Sequence, residues 1–193
     1  MTSNDTPQGG SVTAFRRGSD ATAGQVVLVA DDDPAVADEI ADALQEGYVV
    51  RTVTAGEELL AALDEDLSVV LLDPRLPTTE NALDRLAADV DCRVAALVPD
   101  GHDAVDERFD GRVRKPVSRS ALRATVDRLC RCVSYRDALD RYFDLAQALA
   151  GLDEGDPQRE RIAERLDALE AELDETGAPL DSGEVYDAAL RER

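Results

Sequence analysis

Val26-Val27-Leu28-Val29-Ala30-Asp31-Asp32-Asp33-Pro34 is the stretch on which the reading of this chain turns. An apolar, largely β-branched run predicts a buried strand, and it ends abruptly in three carboxylates. Buried parallel strands of α/β sheets deliver their chemistry at their carboxyl ends, so these acids stand where a ligand would sit. Three adjacent carboxylates repel one another unless they share something cationic. For oxygen-only donors the usual answer is Mg²⁺, which takes one or two carboxylates and keeps several waters.

Two other places answer this one. Ser68-Val69-Val70-Leu71-Leu72 is a second apolar run, and it leads into Asp73-Pro74-Arg75-Leu76-Pro77. Arg112-Val113-Arg114-Lys115-Pro116-Val117 contains a short strand ending in a lysine. Lys115 is the only lysine among 21 basic residues. A chain that uses arginine everywhere else calls here for a compact ammonium rather than a planar fork.

The constellation resembles the receiver domain of two-component response regulators, over about residues 25 to 133. The matching features are the acid pair after the first strand, the lone Asp73 after the third and Lys115-Pro116 after the fifth. The resemblance implies a flavodoxin-like, doubly wound α/β fold with a five-stranded parallel sheet in the order 2-1-3-4-5. It implies that Asp73 accepts a phosphoryl group from a histidine kinase. It also implies that Asp31, Asp32, Asp73 and the backbone carbonyl of Arg75 hold Mg²⁺, while Lys115 pairs with the acyl phosphate. Phosphoryl transfer needs little beyond in-line positioning and neutralisation of spreading negative charge.

The composition bounds the remaining choices. A chain of 193 residues accommodates one ordinary domain and a smaller appendage, and 44% hydrophobic residues suffice for a core. No apolar run reaches the length of a membrane span, and the polar start Met1-Thr2-Ser3-Asn4-Asp5 is no signal peptide, so a soluble, cytoplasmic protein is expected. Cys92, Cys130 and Cys132 are odd in number and lack metal-ligand spacing, which predicts reduced thiols. His102 is the single histidine, so nucleophile–His dyads and His-rich metal sites are excluded, and it reads as a loop residue.

The net charge is −21. Residues 25–133 hold 23 acids against 12 bases, and residues 134–193 hold 17 against 7, so both folded parts are acidic throughout. Such a surface, nearly free of lysine, reads as adaptation to high salt, where the Debye length falls to about 3 Å and self-repulsion is screened. Direct DNA binding is disfavoured, since no basic face exists to displace counterions.

In chain order, residues 1–24 lack periodic apolar pattern and read as a disordered tail. Asp33-Pro34 predicts a helix start, Asp at the N-cap and Pro at the first position, leaving Asp31 and Asp32 for the metal. A first helix follows through Val36, Ile40, Ala43 and Leu44, then a strand over Tyr48–Val53 and a helix over Gly56–Asp66. A third helix carries Leu83 and Leu86, Arg93–Val98 is a strand, and His102–Arg108 is at most a short helix. From Ser118, a candidate cap, one helical pattern runs through Leu122, Val126, Leu129 and Val133 and on to Tyr142 and Leu149. Asp156-Pro157 restarts a helix through Ile162, Leu166, Leu169 and Leu173, and Asp181 with Glu184 forms a capping-box signature for a last short helix. Two amphipathic helices on a short loop predict an antiparallel hairpin over 134–193, with a homodimer through these helices left open.

Tyr135-Arg136-Asp137-Ala138-Leu139-Asp140-Arg141-Tyr142-Phe143-Asp144-Leu145-Ala146 resembles the start of the HalX domain, a helical module that follows receivers in haloarchaeal response regulators. The resemblance supplies an architecture and agrees with the salt-adapted charge.

The chain departs from the receiver pattern at two positions. Receivers place Ser or Thr at the end of the fourth strand and Tyr or Phe three residues before the lysine; here these are Val98 and Arg112. Valine keeps threonine's shape without its donor, and arginine cannot turn into an apolar pocket without stranding its charge. Beside the phosphoryl-accepting regulator there stand an interaction scaffold that keeps the pocket without the switch, and a DNA-binding transcriptional regulator, which the charge opposes. A haloacid-dehalogenase-like phosphatase wants Asp-x-Asp-x-Thr/Val, and Ala35 occupies that last position.

Overall fold

The computed structural model describes residues 24–101 and 106–190. Five parallel strands form one sheet: β1 (Val26–Ala30), β2 (Val49–Val53), β3 (Leu67–Leu72), β4 (Arg93–Pro99) and β5 (Gly111–Lys115). Their order is β2-β1-β3-β4-β5, as the resemblance implies. Every residue of β1 and β3 is buried, which is why these strands read as unbroken apolar runs rather than alternating ones.

Helices α1 (Pro34–Leu44), α2 (Gly56–Ala62) and α3 (Thr79–Asp89) connect the first four strands, and α4 (Arg119–Ala150) follows β5. The sheet therefore has a core on each face. On one, Ile40 and Leu44 of α1 and Leu122, Val126 and Leu129 of α4 pack against Val27, Val29, Leu71 and Leu97. On the other, Leu59 of α2 and Leu83 and Leu86 of α3 cover Leu28, Val70 and Leu72. Each fully buried Leu or Val contributes about 1.5–3 kcal/mol. The Arg123 guanidinium, donating to the carbonyl of Ala43 at 2.8 Å, and Tyr48, donating to Asp127, fasten α4 to the end of α1.

Several local expectations hold at atomic detail. The Asp33 carboxylate accepts from Ala35 N at 2.9 Å with Pro34 at the first helical position. Asp181 Oδ1 accepts from Glu184 N at 2.9 Å while Glu184 Oε2 accepts from Asp181 N at 2.8 Å, a reciprocal capping box opening α6 (Ser182–Leu190). Others are corrected. The second helix ends at Ala62, not Asp66, because Leu63 is extended and Leu67 already enters β3. Ser118 makes no side-chain cap; its hydroxyl is 3.1 Å from that of Ser120. Of the segment between β4 and β5, the described residues from Asp106 form a turn closed by Phe109 N on Asp106 O at 3.1 Å, not a helix. His102 and residues 1–23 lie outside the described residues. The three cysteines are free and buried.

Beyond the sheet, α4 continues without a break for 32 residues, so the expected boundary at residue 133 falls inside one helix. It pairs with α5 (Gln158–Gly177) as an antiparallel hairpin, joined by Arg141–Glu172 at 2.7 Å and by Tyr142 donating to Glu170 at 3.0 Å. Helix α6 then returns to the sheet. Arg136, buried on α4, donates to Ala188 O at 3.3 Å, and Arg93 of β4 donates to Asp187 O at 3.4 Å. Arg128 pairs with Glu184 at 3.0 Å, and Leu180 and Ala188 pack on Cys132. No described helix is long and apolar enough to cross a membrane.

Candidate functional site

The sheet places four charged residues at its carboxyl edge. Sheet pairing carries past the strands themselves: Asp73 N donates to Ala30 O at 2.9 Å between β3 and β1, and Asp31 N donates to Val53 O at 3.2 Å between β1 and β2. These bonds hold Asp31 and Asp73 side by side, each with no exposed surface. In the register Pro99↔Lys115, the end of β5 lies one strand beyond β4, and the lysine reaches back across it. Lys115 Nζ lies 2.6 Å from Asp73 Oδ2 and also pairs with Asp31 Oδ2, which takes no other hydrogen bond. The Lys115–Pro116 bond is cis.

Each buried carboxylate is oriented by local backbone. Asp31 Oδ1 accepts from Asp33 N at 3.1 Å, and Asp73 Oδ1 accepts from Arg75 N at 2.8 Å. Thr79, itself buried, donates its hydroxyl to Asp73 O at 3.2 Å and braces the loop from behind. Asp32 is exposed and leans over the rim. One oxygen each of Asp31, Asp32 and Asp73 comes within 4.8 Å of the others. That is a hard, all-oxygen donor set of a kind that fits Mg²⁺.

Arg75 is placed differently from the expectation. Its anticipated part was a backbone carbonyl, yet its side chain also enters the site. Arg75 Nη2 is 2.8 Å and Nε 3.3 Å from Asp73 Oδ2, Nε is 3.2 Å from Asp73 Oδ1, and Nη2 is 3.8 Å from Asp32 Oδ1. The available signal was its being the one cation in the short loop Pro74–Pro77, two residues after Asp73. Burial alone would raise the Asp73 carboxyl, but hydrogen bonds from Arg75 and Lys115 outweigh it and hold the group at about 2. Burial works against the Lys115 ammonium, and its bonds to Asp31 and Asp73 raise it nonetheless. Asp73 is thus ionised at neutral pH, a buried carboxylate with the Lys115 ammonium and the Arg75 guanidinium beside it and the carboxylates of Asp31 and Asp32 alongside.

The two departures from the receiver pattern are also located. Val98 is buried near the end of β4 with no hydroxyl to offer, and Arg112 is exposed on β5, opposite Ala96.

No protein-family model matches the chain. It is 38% identical over 176 residues to a protein of Haloferax volcanii described as a "Putative transcriptional regulator"; the match covers 88% of this chain and 29% of that one. Among solved structures it is similar to a signal receiver domain from Vibrio parahaemolyticus, with TM-score 0.54 and 18% identity over 60% of this chain and 96% of that one. It is likewise similar to NtrX from Brucella abortus, solved in complex with ADP, with TM-score 0.55 and 21% identity over 72% of this chain and 34% of that one. With its strand order, its two helical layers and these neighbours, the chain carries the flavodoxin-like receiver fold seen in response regulators, followed by further helices.

Proposed function

We propose that this chain is a response regulator whose Asp73 accepts a phosphoryl group from a histidine kinase, and whose C-terminal helices form its output module. In the transfer, an Asp73 carboxylate oxygen attacks phosphorus, the P–N bond to the kinase imidazole breaks, and the imidazole nitrogen keeps the electron pair. Asp31, Asp32, Asp73 and the Arg75 carbonyl are the residues that would hold Mg²⁺, which supplies charge neutralisation at the phosphoryl oxygens. Lys115 stays beside Asp73 and offsets the charge of the acyl phosphate. The single observation that carries this reading is a fully buried Asp73 at a strand end with Lys115 Nζ at 2.6 Å and two further carboxylates alongside. Reaction with acetyl phosphate and Mg²⁺ should add one hydroxylamine-labile phosphoryl group, and Asp73→Asn should abolish it. Undiminished labelling of that variant would reject the assignment.

The HalX-like reading of residues 134–193 and a division near residue 133 belong to the same proposal, as does a homodimer through the helices. Output by direct DNA contact is opposed by the charge of −21. A second reading, a scaffold that keeps the pocket without the switch, is favoured by Val98 and the exposed Arg112. A missing charge-assisted hydrogen bond removes about 1.5–3 kcal/mol from the phosphorylated state's preference for an active conformation. Hydrogen exchange with and without beryllofluoride decides between the two. A response around β4 and β5 that is small in the native chain and large in Val98→Thr with Arg112→Tyr supports the scaffold, and a full-sized native response sinks it.

A further inference from the structure

We infer that the Arg75 side chain is a built-in plug of the acid pocket: its guanidinium must leave Asp73 before that carboxylate can ligate a metal or attack phosphorus. The inference rests on the metal-assisted reading above and adds a regulator to it. A carboxylate has about four lone-pair sites, two on each oxygen. On Asp73 all four are taken. Oδ1 accepts from Arg75 N at 2.8 Å and from Arg75 Nε at 3.2 Å. Oδ2 accepts from Lys115 Nζ at 2.6 Å and from Arg75 Nη2 at 2.8 Å. Two of these four bonds come from groups the fold holds in place, the Arg75 backbone and Lys115. The others come from the Arg75 guanidinium, whose Nε is shared with Oδ2 at 3.3 Å and whose side chain is 60% exposed.

The same guanidinium also faces Asp32 at 3.8 Å, so one planar cation spans two of the three carboxylates that make the oxygen cluster. A guanidinium fork satisfies carboxylates bidentately but offers no coordination sphere, whereas Mg²⁺ demands near-octahedral oxygen donors at 2.0–2.1 Å. The two cannot use the same Asp73 oxygens together. Arg75 is 60% exposed along its side chain, so it can swing into solvent without abandoning a buried apolar contact. The cost of release is the ion pair, partly screened by water. The divalent cation therefore has a competitor tethered two residues away, and Arg75 sets the Mg²⁺ concentration at which the pocket opens.

The test is Mg²⁺ titration by calorimetry, in molar KCl to suppress diffuse binding to the acidic surface, on native protein, Arg75→Ala, Arg75→Gln and Asp31→Asn. Removing the competitor should tighten Mg²⁺ binding about tenfold, equivalent to about 1.4 kcal/mol. The same Arg75 variants should melt at lower temperature than native protein in EDTA, because Asp73 then keeps Lys115 alone and Asp32 loses the cation that faces it, and the gap should close as Mg²⁺ is added. On native protein, NMR of the Arg75 Nε–H should show a protected signal in EDTA that is lost with the same midpoint as Mg²⁺ binding. Unchanged or weaker affinity in both Arg75 variants, with Asp31→Asn binding abolished, would overturn the plug while leaving the metal site standing. An Nε–H signal indifferent to Mg²⁺ would also overturn it. Identical binding by native protein and Asp31→Asn would overturn the metal reading and the plug together.

Discussion

Replacing Lys115 by Met tests whether the pocket is an electrostatic unit. Methionine keeps most of the stem's length and volume, so the change isolates the ammonium. That ammonium is 2.6 Å from Asp73 Oδ2 and pairs with Asp31 Oδ2, and neither carboxylate has exposed surface. Breaking a buried ion pair by removing one partner costs about 3–5 kcal/mol. Asp73 keeps the Arg75 guanidinium and backbone N–H, but Asp31 is left with a single N–H from Asp33 at 3.1 Å. Only one carboxylate is stranded, which puts the loss at the lower end, about 3 kcal/mol. For a chain of this size that is a drop of about 6–12 °C in melting temperature. The assay is denaturant and thermal unfolding in molar KCl with EDTA, at pH 7 and pH 5. A stranded buried carboxylate takes up a proton more readily, so the variant's deficit should shrink at the lower pH, and Mg²⁺ should restore part of it by binding the folded state. A variant within about 0.5 kcal/mol of native protein in EDTA, as for an ordinary surface change, would refute the reasoning.

Three more outcomes follow from the same geometry. Asp32→Ala should weaken Mg²⁺ binding far more than Asp33→Ala, which should instead cost about 1 kcal/mol of stability by removing the Ala35 N–H acceptor; equal losses in a titration would contradict the division of labour. Because Asp73 is held at about 2 against an ordinary 3.8, its ionised-state bonds stabilise the fold at all pH values above about 4 and are lost as pH falls toward 2. Acid unfolding of Asp73→Asn should accordingly show a shallower pH dependence across that window, and an unchanged slope would count against it. With a net charge of −21, melting temperature should rise steeply from dilute buffer to molar KCl, and indifference to salt would remove the high-salt reading.

Much of the sheet was legible because its central strands are buried on both faces. Val26–Ala30 and Leu67–Leu72 need apolar side chains at every position, and an unbroken run followed by acids is hard to mistake. Asp33-Pro34 and the Asp181/Glu184 pair were legible because caps are local: the hydrogen-bonding partners are two or three residues apart. The long α4 was legible because its apolar spacing never lapses across residue 133. What stayed hidden was the destination of arginines. Nothing local distinguishes Arg136, buried against Ala188 O, from Arg141, exposed on the same helix and paired with Glu172 of α5, because the difference lies in a carbonyl 52 residues away. Arg75 was overlooked for a related reason. Its backbone part was implied by the resemblance to receivers, but its side-chain direction depends on where the acids of another strand end up.

The uninterrupted α4 has a mechanical consequence. It starts four residues after Lys115 and runs 32 residues, about 48 Å at 1.5 Å per residue. It is a lever whose near arm is clamped: Arg93, Arg128 and Arg136 bind it and β4 to α6, none of them beyond residue 136. Beyond that clamp, Arg141 and Tyr142 bond to α5. A tilt of about 5° at the pocket end would therefore carry the hairpin tip through about 4 Å, by the length of the rod alone. A pocket that changes by little at its own walls still has a long pointer attached, and the tip near Gly151 is where a displacement label would register it first.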